Sequence, residues 1–215
     1  VLTHPNSDHL NGLLFIADNF NVKTVLTNGD PGKTVNYHQF LKIINVHGIV
    51  HRAYSQIDRQ FVINGVKLDI LYPPSDLQER RQKDRWRNYN NNSIVIKATY
   101  GQISFLFTGD IMARAEAELV ARAGKKLKST VLVIPHHGSA TSSSSGFVNS
   151  VQPSIGIVSA GWQNRYHFPH SEVIARYRHH QTRLFQTNEE GAVILVTDGQ
   201  KLSVCTAVRG CDLSL

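Results

Sequence analysis

Residues 3–12 read Thr-His-Pro-Asn-Ser-Asp-His-Leu-Asn-Gly, and four polar side chains, His4, Asn6, Asp8 and His9, crowd into positions 4 to 9. Two later stretches share their chemistry. The run Ile-Ser-Phe-Leu-Phe-Thr-Gly at 103–109 ends in Asp110, and the apolar run 131–134 ends in Pro135-His136-His137-Gly138-Ser139. Imidazoles and carboxylates placed where strands pass into loops are the donor set of a divalent metal site. One histidine at a strand end is often a packing residue, whereas two adjacent ones are rarely both needed for packing. The three stretches together predict a metal-dependent enzyme.

Around these motifs the chain reads as one α/β domain over 1–215. Apolar residues on one helical stripe predict a helix at 10–20, and others at 37–46, 112–123 and 172–179, the last capped by Ser171. Asn64-Gly65 and Tyr100-Gly101-Gln102 each join two strand-like runs, at 59–63 and 66–72 and at 93–99 and 103–108, so both read as hairpins. Short strands are expected at 25–27, 131–134, 155–159, 183–186, 192–196 and 202–207. Residues 75–92 read as an exposed polar loop, and 142–146 as a polar stretch beside the site. Hairpins mixed with strand–helix alternation argue for two mixed sheets packed face to face, with helices outside.

Composition narrows the partners. The formal charge is +7 and the pI about 9.5, a balance that favours polyanions such as DNA, anionic lipid or phosphorylated substrates. The densest basic stretch is Arg80-Arg81-Gln82-Lys83-Asp84-Arg85-Trp86-Arg87. It reads either as a solvated loop or as a strand-binding surface, with Arg85 and Arg87 on the backbone and Trp86 or Tyr89 stacking a base. No run approaches the roughly 18–20 apolar residues of a membrane span. The chain opens on Val1 and directly on a motif, so it reads as a soluble piece of a longer protein. Cys205 and Cys211 fit a disulfide or two free thiols equally well.

The order of these motifs resembles the metallo-β-lactamase superfamily: a His-x-His-x-Asp-His motif, an Asp closing a strand, and a His-Gly at a strand end. The stretches at 3–12, 90–96 (Asn-Asn-Asn-Ser-Ile-Val-Ile), 105–110, 135–139 and 164–170 (Asn-Arg-Tyr-His-Phe-Pro-His) more closely resemble the metallo-β-lactamase-like domain of ComEC-type DNA-uptake competence proteins. The resemblance implies an αββα sandwich whose first strands precede this chain. It implies one or two divalent metals, Zn²⁺ or Mn²⁺, held by His4, Asn6, Asp8, His9, Asp110 and His137, with His136 as neighbour or substrate contact. Asp8 would orient the attacking water, His170 or His167 would protonate the leaving oxygen, and Ser139 and Arg165 would contact substrate. Asn6 stands where the superfamily has His, and residues 89–92 lack the superfamily's mid-chain His, so one firm metal and one weaker one are expected. The implied activity is a nuclease acting on the DNA strand not taken up. The implied setting is the outer side of a bacterial inner membrane, anchored through the parent protein, with no protein partner evident. A DNA-binding domain without catalysis, and a hydrolase of small phosphodiesters, lactams or thioesters, are the alternatives.

Overall fold

The structure, a computed structural model, describes residues 1–212. In chain order the elements are α1 (Ser7–Asn19), β1 (Thr24–Thr27), α2 (Val35–Val46), β2 (Val50–Ala53), β3 (Gln60–Ile63), β4 (Val66–Tyr72), α3 (Leu77–Lys83), β5 (Val95–Tyr100), β6 (Ile103–Phe107) and α4 (Ala113–Ala123). There follow β7 (Val131–Val133), α5 (Ser145–Val151), β8 (Ile155–Val158), α6 (Ser171–His179), β9 (Arg183–Gln186), α7 (Thr187–Glu190), β10 (Val193–Thr197), β11 (Leu202–Thr206) and β12 (Gly210–Asp212).

Strands β3 to β9 form one seven-stranded sheet in sequence order. Its first half is built from antiparallel hairpins, as Asn64-Gly65 and Gly101 lead one to expect. From β6 onward the strands run parallel, and α4, α5 and α6 make the crossovers. Side chains alternate across a strand, and that alternation separates two cores. Val95, Leu106, Leu132 and Val158 point to the face covered by α4, α5 and α6. Ile103, Val131, Ile155, Ile157 and Phe185 point the other way, onto Leu202 and Val204 of β11.

The second layer is made of two small sheets rather than one. β1 pairs with β2 in parallel, and β10, β11 and β12 form an antiparallel meander. In β1, Leu26 packs on Ile70 and Ile96 of the large sheet and on Ile94 just before β5, while Val25 faces Leu10, Phe40 and Ile44 of α1 and α2. The layer order is therefore α, β, β, α. Cys205 and Cys211 pair across β11 and β12 and are joined by a disulfide.

Two local expectations are corrected. Residues 75–92 are not an exposed loop. They hold α3 and end in Asn91 and Asn92, each 3% exposed. The stretch 142–146 runs beside the His136-His137 turn, the Ser142 hydroxyl bonding the Pro135 and Ser139 carbonyls, and Ser145 opens α5, whose Phe147, Val148 and Val151 are core residues. Ser171 is the first residue of α6 rather than its cap; His170 holds the N-cap position. Among the described residues no helix is long and apolar enough to cross a membrane.

Candidate metal centre

Loops at the carboxyl ends of parallel strands are where α/β sheets place their ligands. Asp110 follows β6, His136 and His137 follow β7, and the segment 159–170 follows β8. The first motif arrives beside them because Leu2 bridges Thr27 of β1 in parallel and the Thr3 carbonyl accepts the Ile94 N–H. The His136 N–H donates to the Gly109 carbonyl at 3.1 Å, tying the second motif to the third. His136, His137 and Gly138 all take positive φ (51°, 56° and 78°), a left-handed turn that costs energy at the two histidines. At Gly138 the glycine is needed twice over, since a Cβ there would also lie 2.5 Å from Pro169.

This turn brings four ligands together: one donor atom each from Asp8, His9, Asp110 and His137 lies within 4.8 Å of all the others. Asp110 Oδ1 is 3.0 Å from His9 Nε2 and 3.6 Å from His137 Nε2, and its Oδ2 is 3.6 Å from His4 Nε2. Asp8 Oδ2 lies 3.3 Å from His137 Nε2. The second ring nitrogens have partners of their own. His137 Nδ1 donates to the Ser159 carbonyl at 2.6 Å, and His4 Nδ1 lies 3.2 Å from the Ser93 hydroxyl. Such outer bonds select the tautomer that leaves Nε2 free for a cation. The Nε2 atoms of His4, His9 and His137 are buried without a hydrogen bond. Buried polar groups are rarely left so. Three of them around one carboxylate fit a divalent ion.

The electrostatics agree. The His137 imidazole 3.3 Å away holds the Asp8 carboxyl well below the usual range. Burial pushes Asp110 up, but the His9, His137 and His4 imidazoles outweigh it and keep the carboxyl low. Asp8 in turn lifts His137 to about 8. Burial, aided by His9, drops His4 to about 4, so it is a neutral ligand at pH 7.

The remaining residues expected at the site divide. Asn6 and His136 line the same pocket of about 630 Å³ as Asp8, Asp110 and His137. Asn6 Nδ2 donates to Asn90 Oδ1 (2.9 Å), Asn90 Nδ2 lies 3.2 Å from His136 Nε2, and His136 Nδ1 is 3.1 Å from the Thr141 hydroxyl. A chain of neutral groups thus stands beside His4 where a second full ligand set would be. Ser139 is buried and hydrogen-bonded to Thr141.

His167 and His170 require correction as proton donors, because neither lines the pocket. His167, at φ 55°, faces the cleft behind the 161–170 segment, and His170 begins α6. Arg87 is also corrected. Its side chain is 0% exposed and bonds Glu118, Asp84 and the Tyr72 hydroxyl, while Trp86 packs against the core. Arg85 is exposed, as is Arg165, which lies over the Tyr166 ring. Sequence reasoning missed Asn90, Ser93, Ser159, Tyr166 and Phe168. Asn90, Ser93, Tyr166 and Phe168 lie in the motif stretches 90–96 and 164–170, which was their signal; Ser159 had none.

No family model matches the chain. It is 33% identical over 193 residues to competence protein ComA of Neisseria gonorrhoeae and 28% identical over 195 residues to ComE operon protein 3 of Bacillus subtilis. It is 28% identical over 193 residues to recombination protein 2 of Haemophilus influenzae. Each match covers 90% of this chain but only 21–24% of the relative, so the chain spans about a quarter of their length or less. A solved Zn-dependent hydrolase of the metallo-β-lactamase superfamily from Thermotoga maritima overlaps 74% of the chain and 69% of its own, at 13% identity and a TM-score of 0.35. Nearly all of this chain is homologous to one segment of the ComEC-type competence proteins.

Proposed function

We propose that this chain is a metal-dependent phosphodiesterase domain that cuts DNA, acting in the longer parent on the strand left outside during uptake. The observation that carries the reading is the set of three buried Nε2 atoms without hydrogen bonds, gathered on Asp110, which lines the pocket with Asp8 and His137. The +7 charge and the competence relatives favour DNA over a small ester. In the parent, we place the domain on the outer face of the inner membrane.

Asp8, His9, Asp110 and His137 would hold the first cation, and His4, the Asn6 amide oxygen and the second oxygen of Asp110 a weaker one. Such an ion, Zn²⁺ or Mn²⁺, supplies Lewis-acid chemistry: it acidifies water toward neutral pH and offsets charge developing on phosphoryl oxygens. Asp8 is the ligand on the open side, its side chain 59% exposed, so its free oxygen can orient a water and accept a proton. Asp110, buried to 2%, fixes the three imidazoles relative to one another. Burial pushes His136 down, so it acts as a neutral hydrogen-bonding wall rather than a proton store. Asn164 and Tyr166 line the same pocket and can meet the leaving oxygen.

The test is cleavage of single-stranded DNA by the purified domain with Mn²⁺ or Zn²⁺, with metal counted per chain. Cleavage lost in Asp8→Ala and Asp110→Ala supports the reading; intact DNA alongside bound metal refutes it. The thin second ligand set favours one further reading, a domain that binds DNA without cutting it. Binding that survives chelation, with no cleavage by the metal-loaded protein, would select that one. A panel of small phosphodiesters, lactams and thioesters separates the remaining hydrolase alternatives.

A further inference from the structure

Four groups form a ladder at the mouth of the metal pocket. The Arg165 guanidinium lies 4.7 Å from the Tyr166 ring centroid. Tyr166 stacks on Phe168 at 5.4 Å and 20°, and Phe168 stacks on His137 at 6.3 Å and 17°. The ladder thus runs from solvent to a metal-site imidazole. Tyr166 remains 56% exposed, and Trp162 on the same segment is 76% exposed.

The segment is seated firmly without those two rings. Asn164 accepts the Phe168 N–H and donates to the Phe168 carbonyl, closing the loop on itself. Pro169 packs on Gly138, and the His170 N–H donates to the Gly138 carbonyl at 3.0 Å. Phe168 and Pro169 make the seat. Trp162 and Tyr166 are flat apolar surfaces held out to water beside an ionic centre.

We propose that the 161–168 segment is a base-stacking platform for single-stranded nucleic acid, with Tyr166 as its principal ring. The proposal rests on the phosphodiester reading above and deepens it. A phosphate at the metal pocket places its attached base at the pocket mouth, where Tyr166 and Phe168 line the wall. Every base has a π face, so stacking there tolerates any sequence. The planar Arg165 guanidinium extends the π surface and adds a charge complementary to the backbone. The platform selects an unpaired strand, because bases in a duplex keep their faces covered. It takes over the stacking role first assigned to Trp86, which packs against the core.

The experiment measures binding of labelled oligo(dT), and of an abasic oligonucleotide of equal length, by fluorescence anisotropy in EDTA. The wild type should bind oligo(dT) more tightly than the abasic strand. Tyr166→Ala should weaken oligo(dT) binding about tenfold, since stacking on one ring is worth roughly 1–3 kcal/mol per base. It should leave abasic binding unchanged, and Tyr166→Phe should keep the wild-type preference. Equal wild-type affinity for the two strands, an equal loss on both in Tyr166→Ala, or no loss on oligo(dT), would overturn the platform. Because no metal is present, this outcome is independent of cleavage. If only the platform fails, Mn²⁺-dependent cutting of either strand persists. If the phosphodiester reading fails, neither strand is cut whatever the base preference.

Discussion

Replacing Gly138 by alanine tests the join between the His-His-Gly turn and the segment that walls the pocket. Two costs add. The backbone sits at φ 78°, where an L-residue is worse than glycine by about 1–2 kcal/mol. The new methyl would lie 2.5 Å from Pro169 Cβ and 3.2 Å from its Cα. A proline ring cannot swing aside as a long flexible side chain can, so the turn or the segment has to move, at about 1–3 kcal/mol for overpacking. Gly138→Ala should therefore lose roughly 2–5 kcal/mol. Urea unfolding followed by circular dichroism reads this as a midpoint lowered by about 1–2 M, taking a slope of about 2–3 kcal/mol per molar. Gly12→Ala is the control. It is exposed in the middle of α1, with nothing within 4 Å of an added Cβ, and should gain about 0.5–1 kcal/mol. The same methyl thus has opposite signs at two glycines. A Gly138→Ala protein that unfolds at the wild-type midpoint would refute the packing of Pro169 on this turn.

Arg87→Ala removes the buried guanidinium shared by Glu118, Asp84 and the Tyr72 hydroxyl, while Arg80 and Arg122 still reach Glu118, and should lose about 1–3 kcal/mol in the same assay, with DNA affinity of the folded variant unchanged. A stable variant that binds DNA poorly would return Arg87 to the surface. Metal uptake should weaken as pH falls, because Asp8 keeps a proton on His137 up to about 8 and a ligand imidazole has to lose it. Titrations at pH 6, 7 and 8 should show affinity rising about tenfold per pH unit and levelling above pH 8; a flat response over that range contradicts the Asp8–His137 pairing.

What the sequence made legible was local. Hairpin turns, the α4 stripe and the placing of Asp110 and His136-His137 at strand ends follow from residues within a few positions of one another. β2 was illegible because Val50–Ala53 is exposed almost throughout and is held by its pairing with β1. α3 buries only Leu77, too little for a stripe. The charge run at 80–87 read as a surface because Asp76 and Asp84 answer only part of it locally and the other acids are remote. Arg81 pairs with Asp30, and Arg80 and Arg87 both reach Glu118. Two elements, α3 and α4, have to pack before that neutralisation exists. His167 shows the same limit at one residue: its left-handed backbone sends it to the cleft behind the segment.

The charge balance of the site explains why its residues sit where they do. Asp110 is 2% exposed and Asp8 lies beside it, and both carboxyls are held ionised. An unpaired buried charge is costly. His137 answers one carboxylate with its proton, while His4, dropped to about 4 by burial, brings none. A divalent ion answers both carboxylates at once, frees that proton and takes a lone pair from three Nε2 atoms that make no hydrogen bond. Metal should therefore bind the folded chain far better than the unfolded one, and its free energy adds to folding stability. This is also why Ser93 and Ser159 belong to the centre although neither faces the ion. By occupying the Nδ1 atoms of His4 and His137 they point the remaining nitrogen of each ring at Asp110.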